Sequence, residues 1–212
     1  MVKIKMKDKK MSIHLNQYQK ILIGVMIVYT IISFIKLGNI ESPQTFYNLK
    51  DGEYVVYEFE NETIPAEIVF FAGNDDAYLS IYLANEYSST NETFEYDTSV
   101  TSDYAGVYTW RKESINLNKK SCRYLMVSSY WDNTSLGEIA FLDQYGSIIK
   151  TKLMSGTELL SDEPEKIHTK ATYMNSSYFD EVYFPRAAYE MFHHKYIFEY
   201  TRMYFIKCFT NK

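Results

Sequence analysis

Few side chains in this sequence have both the type and the spacing to do chemistry. Asp180 and Glu181 are adjacent carboxylates, followed five residues on by Arg186, in the string SSYFDEVYFPRAAYE. Asn175-Ser176-Ser177 opens this string like a turn, and both acids then fall in the first turn of a predicted helix. Negative charge there meets the positive end of the helix dipole. Val182, Ala188, Met191 and Phe192 share one face at helical spacing, while Pro185 interrupts the pattern and predicts a kink or a later start. By residue type alone this is an amphipathic helix with capping acids. The histidines are His14, His168, His193 and His194. The adjacent pair points to different sides of any regular element, so it does not chelate. Cys122 and Cys208 by themselves make neither a disulfide framework nor a four-ligand zinc site. No metal site, resident cofactor, Gly-rich phosphate loop or Ser–His–Asp order is expected. Trp110, Tyr130 and Trp131 have rings that would either stack on the face of a sugar or fill a core. Four tripeptides, beginning at Asn61, Asn91, Asn133 and Asn175, match the N-glycosylation pattern, which chance also produces in an Asn/Ser/Thr-rich chain.

These residues must be positioned by a chain of 212 residues with 22 Lys+Arg against 27 Asp+Glu and a net charge of −5. That length allows one ordinary domain with appendages. Apolar residues are 46% and charged residues 23%, which excludes a disordered tail. The acidic balance, without an Arg-rich stripe, argues against nucleic acid as a partner. Aromatics reach 17% and include 21 Tyr, a residue suited to half-buried strands and to membrane–water boundaries.

Three segments differ in character. Residues 1–20 carry six lysines (Lys3, Lys5, Lys7, Lys9, Lys10, Lys20) against one acid, Asp8, and are expected to form a cytoplasmic tail. Residues 21–37 contain the uncharged run Ile21 to Ile35 and, with Lys36 snorkelling, are expected to form a transmembrane helix in contact with membrane lipid. A buried soluble helix and a cleaved signal peptide are the competing readings; the run has no polar stripe, and no small-x-small site follows Leu37. The bulk of the chain would then lie outside a cell membrane crossed once.

From 45 to 155 the pattern is that of short strands. Runs at Glu53 to Glu60, Ala66 to Gly73, Tyr78 to Asn85, Gly106 to Leu117, Cys122 to Trp131 and Gly137 to Ile149 are rich in Val, Ile, Tyr and Phe. Turn residues such as Asn74-Asp75-Asp76 separate them. Tyr87 to Asp103 reads as a long loop with one strand at Thr93 to Tyr96. The fold class expected is therefore mainly β, an antiparallel jelly-roll β-sandwich of about seven strands, with an N-terminal transmembrane helix and a C-terminal helical segment. Arg123-Tyr124-Leu125-Met126-Val127 and Leu136-Gly137-Glu138-Ile139-Ala140-Phe141 resemble the closing strands of galactose-binding-like, or discoidin-like, sandwiches. That resemblance implies the fold; ligands of such folds are set by variable loops.

After a linker at 156–177, the string from Tyr178 resembles the first large extracytoplasmic loop of bacterial protein O-mannosyltransferase-like enzymes, the family 39 glycosyltransferases that depend on a phospholipid carrier. Phe179-Asp180-Glu181-Val182-Tyr183, Arg186 and Ala188-Tyr189-Glu190 fall in register with the pattern FDEVYHARTAYE. The resemblance implies transfer of a sugar, mannose above all, from a polyprenyl-phosphate donor to a protein or cell-envelope glycan acceptor. It implies Asp180 as the base that takes the acceptor proton, Glu181 as its helper or a positioning group, and Arg186 as the group that binds the lipid phosphate. Residues 178–201 would be the start of the catalytic loop. Residues 202–212 diverge, with no His-Pro-Pro-Leu-Gly-Lys, so the expectation is a truncated enzyme, inactive alone unless a separate chain supplies the missing C-terminal portion. The alternative is a membrane-anchored extracytoplasmic module that binds carbohydrate or protein.

Overall fold

A computed structural model describes residues 16–34, 41–74, 76–87, 93–102, 107–132, 134–177, 180–192 and 194. The chain divides into two compact units, Met1–Gly38 and Asn39–Lys212. Most of the expected basic tail (1–15) and the divergent tail (202–212) lie outside the described residues, as do Cys208, His14 and His193.

In the first unit, helix α1 (Gln17–Phe34) opens on a reciprocal cap. The Asn16 side chain accepts from the Gln19 backbone N–H, and the Gln19 side chain accepts from the Asn16 N–H, both at 2.9 Å. Two otherwise orphaned donors are thereby satisfied. Apolar side chains project on all sides, from 41% exposed at Ile23 to 84% at Tyr18. Among the described residues no helix is long and apolar enough to cross a membrane, which departs from the transmembrane helix expected at 21–37. The described helix ends at Phe34. Ile35 to Leu37 lie outside the described residues.

The second unit is an antiparallel sandwich. Its strands are β1 (Tyr47–Leu49), β2 (Tyr54–Thr63), β3 (Glu67–Ala72), β4 (Ala77–Ala84), β5 (Glu95–Ser102), β6 (Thr109–Ser114), β7 (Cys122–Ser129), β8 (Thr134–Leu142) and β9 (Thr151–Ser155). One sheet has the order β1-β8-β3-β6 and the other β5-β4-β7-β2-β9. Apart from β4 and β5, which pair within one sheet, successive strands from β1 to β8 alternate between the sheets in the nested manner of a jelly roll. β9 adds an edge beside β2. Two of these strands, β1 and β9, exceed the sequence expectation, and β5 extends well beyond the strand expected at Thr93 to Tyr96. β1 and β9 are too short for periodicity to register, and β5 (EYDTSVTS) is polar, half-exposed and edge-placed. The expected long loop from Tyr87 to Asp103 therefore holds a strand of eight residues that pairs with β4 along its length.

The inter-sheet core holds Val55, Tyr57, Phe59, Ile68, Phe70, Leu79, Ile81, Leu125, Val127, Ile139 and Phe141. Strict alternation explains β4: Leu79 and Ile81 point inward, Tyr78, Ser80 and Tyr82 outward. Continuous apolar runs mark strands buried on both faces. β8 is buried at every position, and β3 sends Val69 and Phe71 to the outside of its sheet, where Trp110 packs with them and Phe46, Tyr108 and Ile167 cover the cluster. Segment 156–177, expected as a linker, is bound to the sandwich. Leu160 of the 3-10 turn Glu158–Leu160 enters the core, the Ser176 hydroxyl accepts from Trp110 N–H (3.2 Å), and Ser177 N–H donates to the Tyr108 carbonyl (2.7 Å). Gly156 starts this segment with φ +104°, and a Cβ there would lie 2.5 Å from Val55 Cγ1. Only glycine fits both demands. The last described helix is α2 (Asp180–Phe192).

Candidate binding site

At the end of the sandwich where β7 leaves its sheet, three aromatic rings meet. Tyr78, outward on β4, lies 5.7 Å from Tyr130 and 5.5 Å from Trp131 between ring centroids, with interplanar angles of 65° and 46°. Trp131 is 60% exposed and Tyr130 41%. The backbone beneath them is held firmly. Tyr130 N–H donates to the Tyr78 carbonyl (3.2 Å), Gly52 N–H to Ser129 O (3.0 Å), and Ser129 N–H to Glu53 O (2.9 Å). The buried Ser129 hydroxyl bonds Thr134 Oγ1 (2.8 Å) and the Trp131 carbonyl (2.7 Å), so the turn after β7 is fixed from within. Next in the chain, the Asp132 carboxylate accepts from Asp51 N–H at 3.3 Å, which sets an acceptor group beside the rings.

The aromatic surface continues down the outer face of the same sheet. Tyr82 and Tyr96 pair at 5.6 Å across β4 and β5, and Tyr87 and Tyr124 pair at 5.7 Å. Tyr96 is exposed and Tyr82, Tyr87 and Tyr124 are half-buried, so these rings keep apolar area in water. Their chemistry suits a partner with one apolar face and polar edges: flat rings for C–H groups, phenol hydroxyls and a carboxylate for hydroxyls.

Of the rings singled out in the sequence, only Tyr130 and Trp131 take part. Trp110 is 5% exposed and packs edge-on against Phe71 at 5.3 Å, so it belongs to the core. Tyr78 was not singled out; its signal is the alternation YLSIYL, which sends Tyr78 and Tyr82 to the face opposite Leu79 and Ile81.

Asp180 and Glu181 open α2, in the first helical turn as the spacing predicts. Arg186 is buried and its Nε donates to Glu190 Oε1 at 2.8 Å, one turn on, with side-chain exposures of 8% and 3%. Its Nε is thus paired one turn on within the same helix. Among the described residues no His/Cys/Asp/Glu group has metal-binding geometry.

At the opposite end of the sandwich an open cavity of about 680 Å³ is lined by Leu83, Glu86, Glu95, Lys120 and Cys122, among others. Lys120 Nζ and Glu95 Oε2 pair at 2.6 Å across its exposed mouth. Burial first, then the nearby Asp97 and Glu62 charges, pushes the Cys122 thiol up to about 12, so it is no nucleophile at neutral pH.

No family model matches the sequence, and no curated protein does. Among solved structures, the chain is similar to the CBM32 of AlyQ in complex with 4,5-unsaturated mannuronic acid. Identity is 16%, the match covers 46% of this chain and 74% of that one, and the TM-score is 0.37. At that score the likeness carries no argument about ligand, and the sandwich assignment rests on the strand order itself.

Proposed function

We propose that the sandwich is a carbohydrate-binding module whose platform is Tyr78, Tyr130 and Trp131. The observation that carries this reading is the exposed ring cluster on a turn locked from beneath by Ser129. A sugar ring is apolar on its C–H faces and polar around its rim. Stacking on a fixed indole removes apolar area from water without desolvating the hydroxyls, and a fixed platform loses little side-chain freedom on binding. Asp132 supplies an acceptor for a rim hydroxyl. The partner is a glycan, and no bond is made or broken. The test is a glycan panel read by calorimetry on the full chain and on Trp131→Ala. Binding of at least one glycan, lost in the variant, supports the reading; a panel without binding, or binding indifferent to Trp131, removes it.

Attachment to a membrane belongs to the same proposal. Helix α1 is apolar on every side, and such a helix is buried in apolar surroundings when at work. Lysine precedes it, and lipid headgroups attract cations. Co-sedimentation with anionic phospholipid vesicles is expected for the full chain and not for a chain with Ile23, Ile27 and Ile31 changed to Asp. Equal recovery of both in the supernatant would remove this part.

A further inference from the structure

Glu138 is an acid with no exposed surface, on the central strand β8, followed in the strand by Ile139, Ala140 and Phe141. One of its oxygens, Oε1, accepts the Glu163 backbone N–H at 2.8 Å. The other, Oε2, is buried and meets no donor, while the Asp162 carboxyl lies within hydrogen-bonding reach of this acid. A fully buried carboxyl with one oxygen unpartnered and a second acid beside it is held in its neutral form. The neighbours are fixed in turn. Glu163 Oε2 accepts from the N–H groups of Gln44 (2.6 Å) and Thr45 (2.9 Å) and from the Thr45 hydroxyl (3.0 Å). Asp162 Oδ1 also accepts from the Thr45 hydroxyl at 2.9 Å.

We propose that Glu138 and Asp162 form a proton-held latch, which ties the segment 156–167 to β8 and to the entering chain at 44–45 and opens when the shared proton is lost. In the closed state Glu138 is neutral; its O–H donates to Asp162 and its carbonyl oxygen accepts from Glu163. When Glu138 ionises, it faces Asp162 and Glu163 at close range with no cation between them, and like charges in a buried site repel strongly. No other described neighbour offsets this. From β2 comes the Tyr57 phenol, itself held neutral by burial and then by Glu138; from 44–45 come only uncharged groups; Lys166 acts on Glu163. Burial, opposed in part by the Glu163 N–H and reinforced by Asp162, raises the Glu138 carboxyl from 4.5 to about 7. The latch is therefore closed in mildly acidic solution and weakens as pH rises toward about 7.

Hydrogen exchange of the full chain, corrected for intrinsic rates, tests this. From pH 5.5 to 8.5, protection of residues 158–166 is expected to fall by about tenfold to a hundredfold, in keeping with the size of the shift, while β3 and β8 stay protected. Glu138→Gln keeps a neutral donor and acceptor in the same places, so its segment should stay protected at both pH values. Equal protection of the wild type at both, or a Glu138→Gln variant that follows the wild type, overturns the latch. Should the variant fail to fold, carboxyl carbon NMR of the wild-type glutamates decides. A Glu138 midpoint near 7 supports the latch, and one near 4.5 overturns it.

Discussion

Two tryptophans show how one residue type serves two ends. Trp110 lies against Phe71 and under Tyr108 and Ile167, so removing its ring empties a filled space. Trp110→Ala should cost about 3–5 kcal/mol of stability, read by denaturant unfolding. Trp131 keeps most of its ring in water, so Trp131→Ala should leave the unfolding midpoint within about 0.5 kcal/mol of wild type. Glycan affinity should fall about tenfold or more, the equivalent of about 1.4 kcal/mol of lost stacking. Cys122 gives a third test at this scale. With its thiol pushed up to about 12, iodoacetamide at pH 8 should leave Cys122 unmodified in the folded chain and modify it fully in denaturant, as peptide mass mapping would show. Prompt modification of the native thiol would contradict the burial described for it.

At the scale of elements, the exposed edges of the sandwich receive unequal treatment. β6 is an edge strand of the four-stranded sheet, and the segment ending at Ser177 lies along its start, satisfying Trp110 N–H through Ser176 and taking the Tyr108 carbonyl through Ser177. An edge covered in this way cannot recruit another strand. Ser176→Ala strips a buried N–H of its acceptor and should cost about 1–3 kcal/mol. Gly156→Ala strikes the start of the same segment, where φ is +104° and Val55 crowds the site, and should destabilise by at least about 1 kcal/mol. If both variants unfold like wild type, the segment does not contribute to the fold as its contacts imply.

For the molecule as a whole, two acids set opposite pH dependences. Glu138 is raised to about 7, so the folded state holds its proton more tightly than the unfolded chain does. Its contribution is fully present below the unfolded value of about 4.5 and is lost as pH climbs to about 7, a change on the order of 3 kcal/mol. Burial works against the charge of Glu163, but the N–H groups of Thr45 and Gln44 and the Thr45 hydroxyl outweigh it and hold that carboxyl below its ordinary value. Its contribution is present above about 4.5 and is lost on acidification. Stability should therefore peak on the acid side of neutrality, near about pH 5, and decline toward pH 8. A thermal-melt series across that range that is flat or rises toward pH 8 would contradict this.

The sandwich was legible in the sequence because its central strands are long and carry the period of two or the continuous apolar run that burial on one or both faces demands. Tyr78 to Asn85 and Cys122 to Trp131 both announce themselves this way. β1, β9 and most of β5 did not, since short or polar edge strands owe their conformation to a partner's hydrogen bonds, not to their own side chains. The acids at the start of α2 were placed by helix physics that operates within one turn. Which tryptophan is core and which is platform is not a local property: the flanking residues of Trp110 and Trp131 are similarly polar, and only the segments covering one and the turn projecting the other separate them. Glu138 is the strongest case. In sequence it is an ordinary acid within an apolar strand. Its burial, its shared proton and its hold on Glu163 exist only because a segment 25 residues later folds back upon β8.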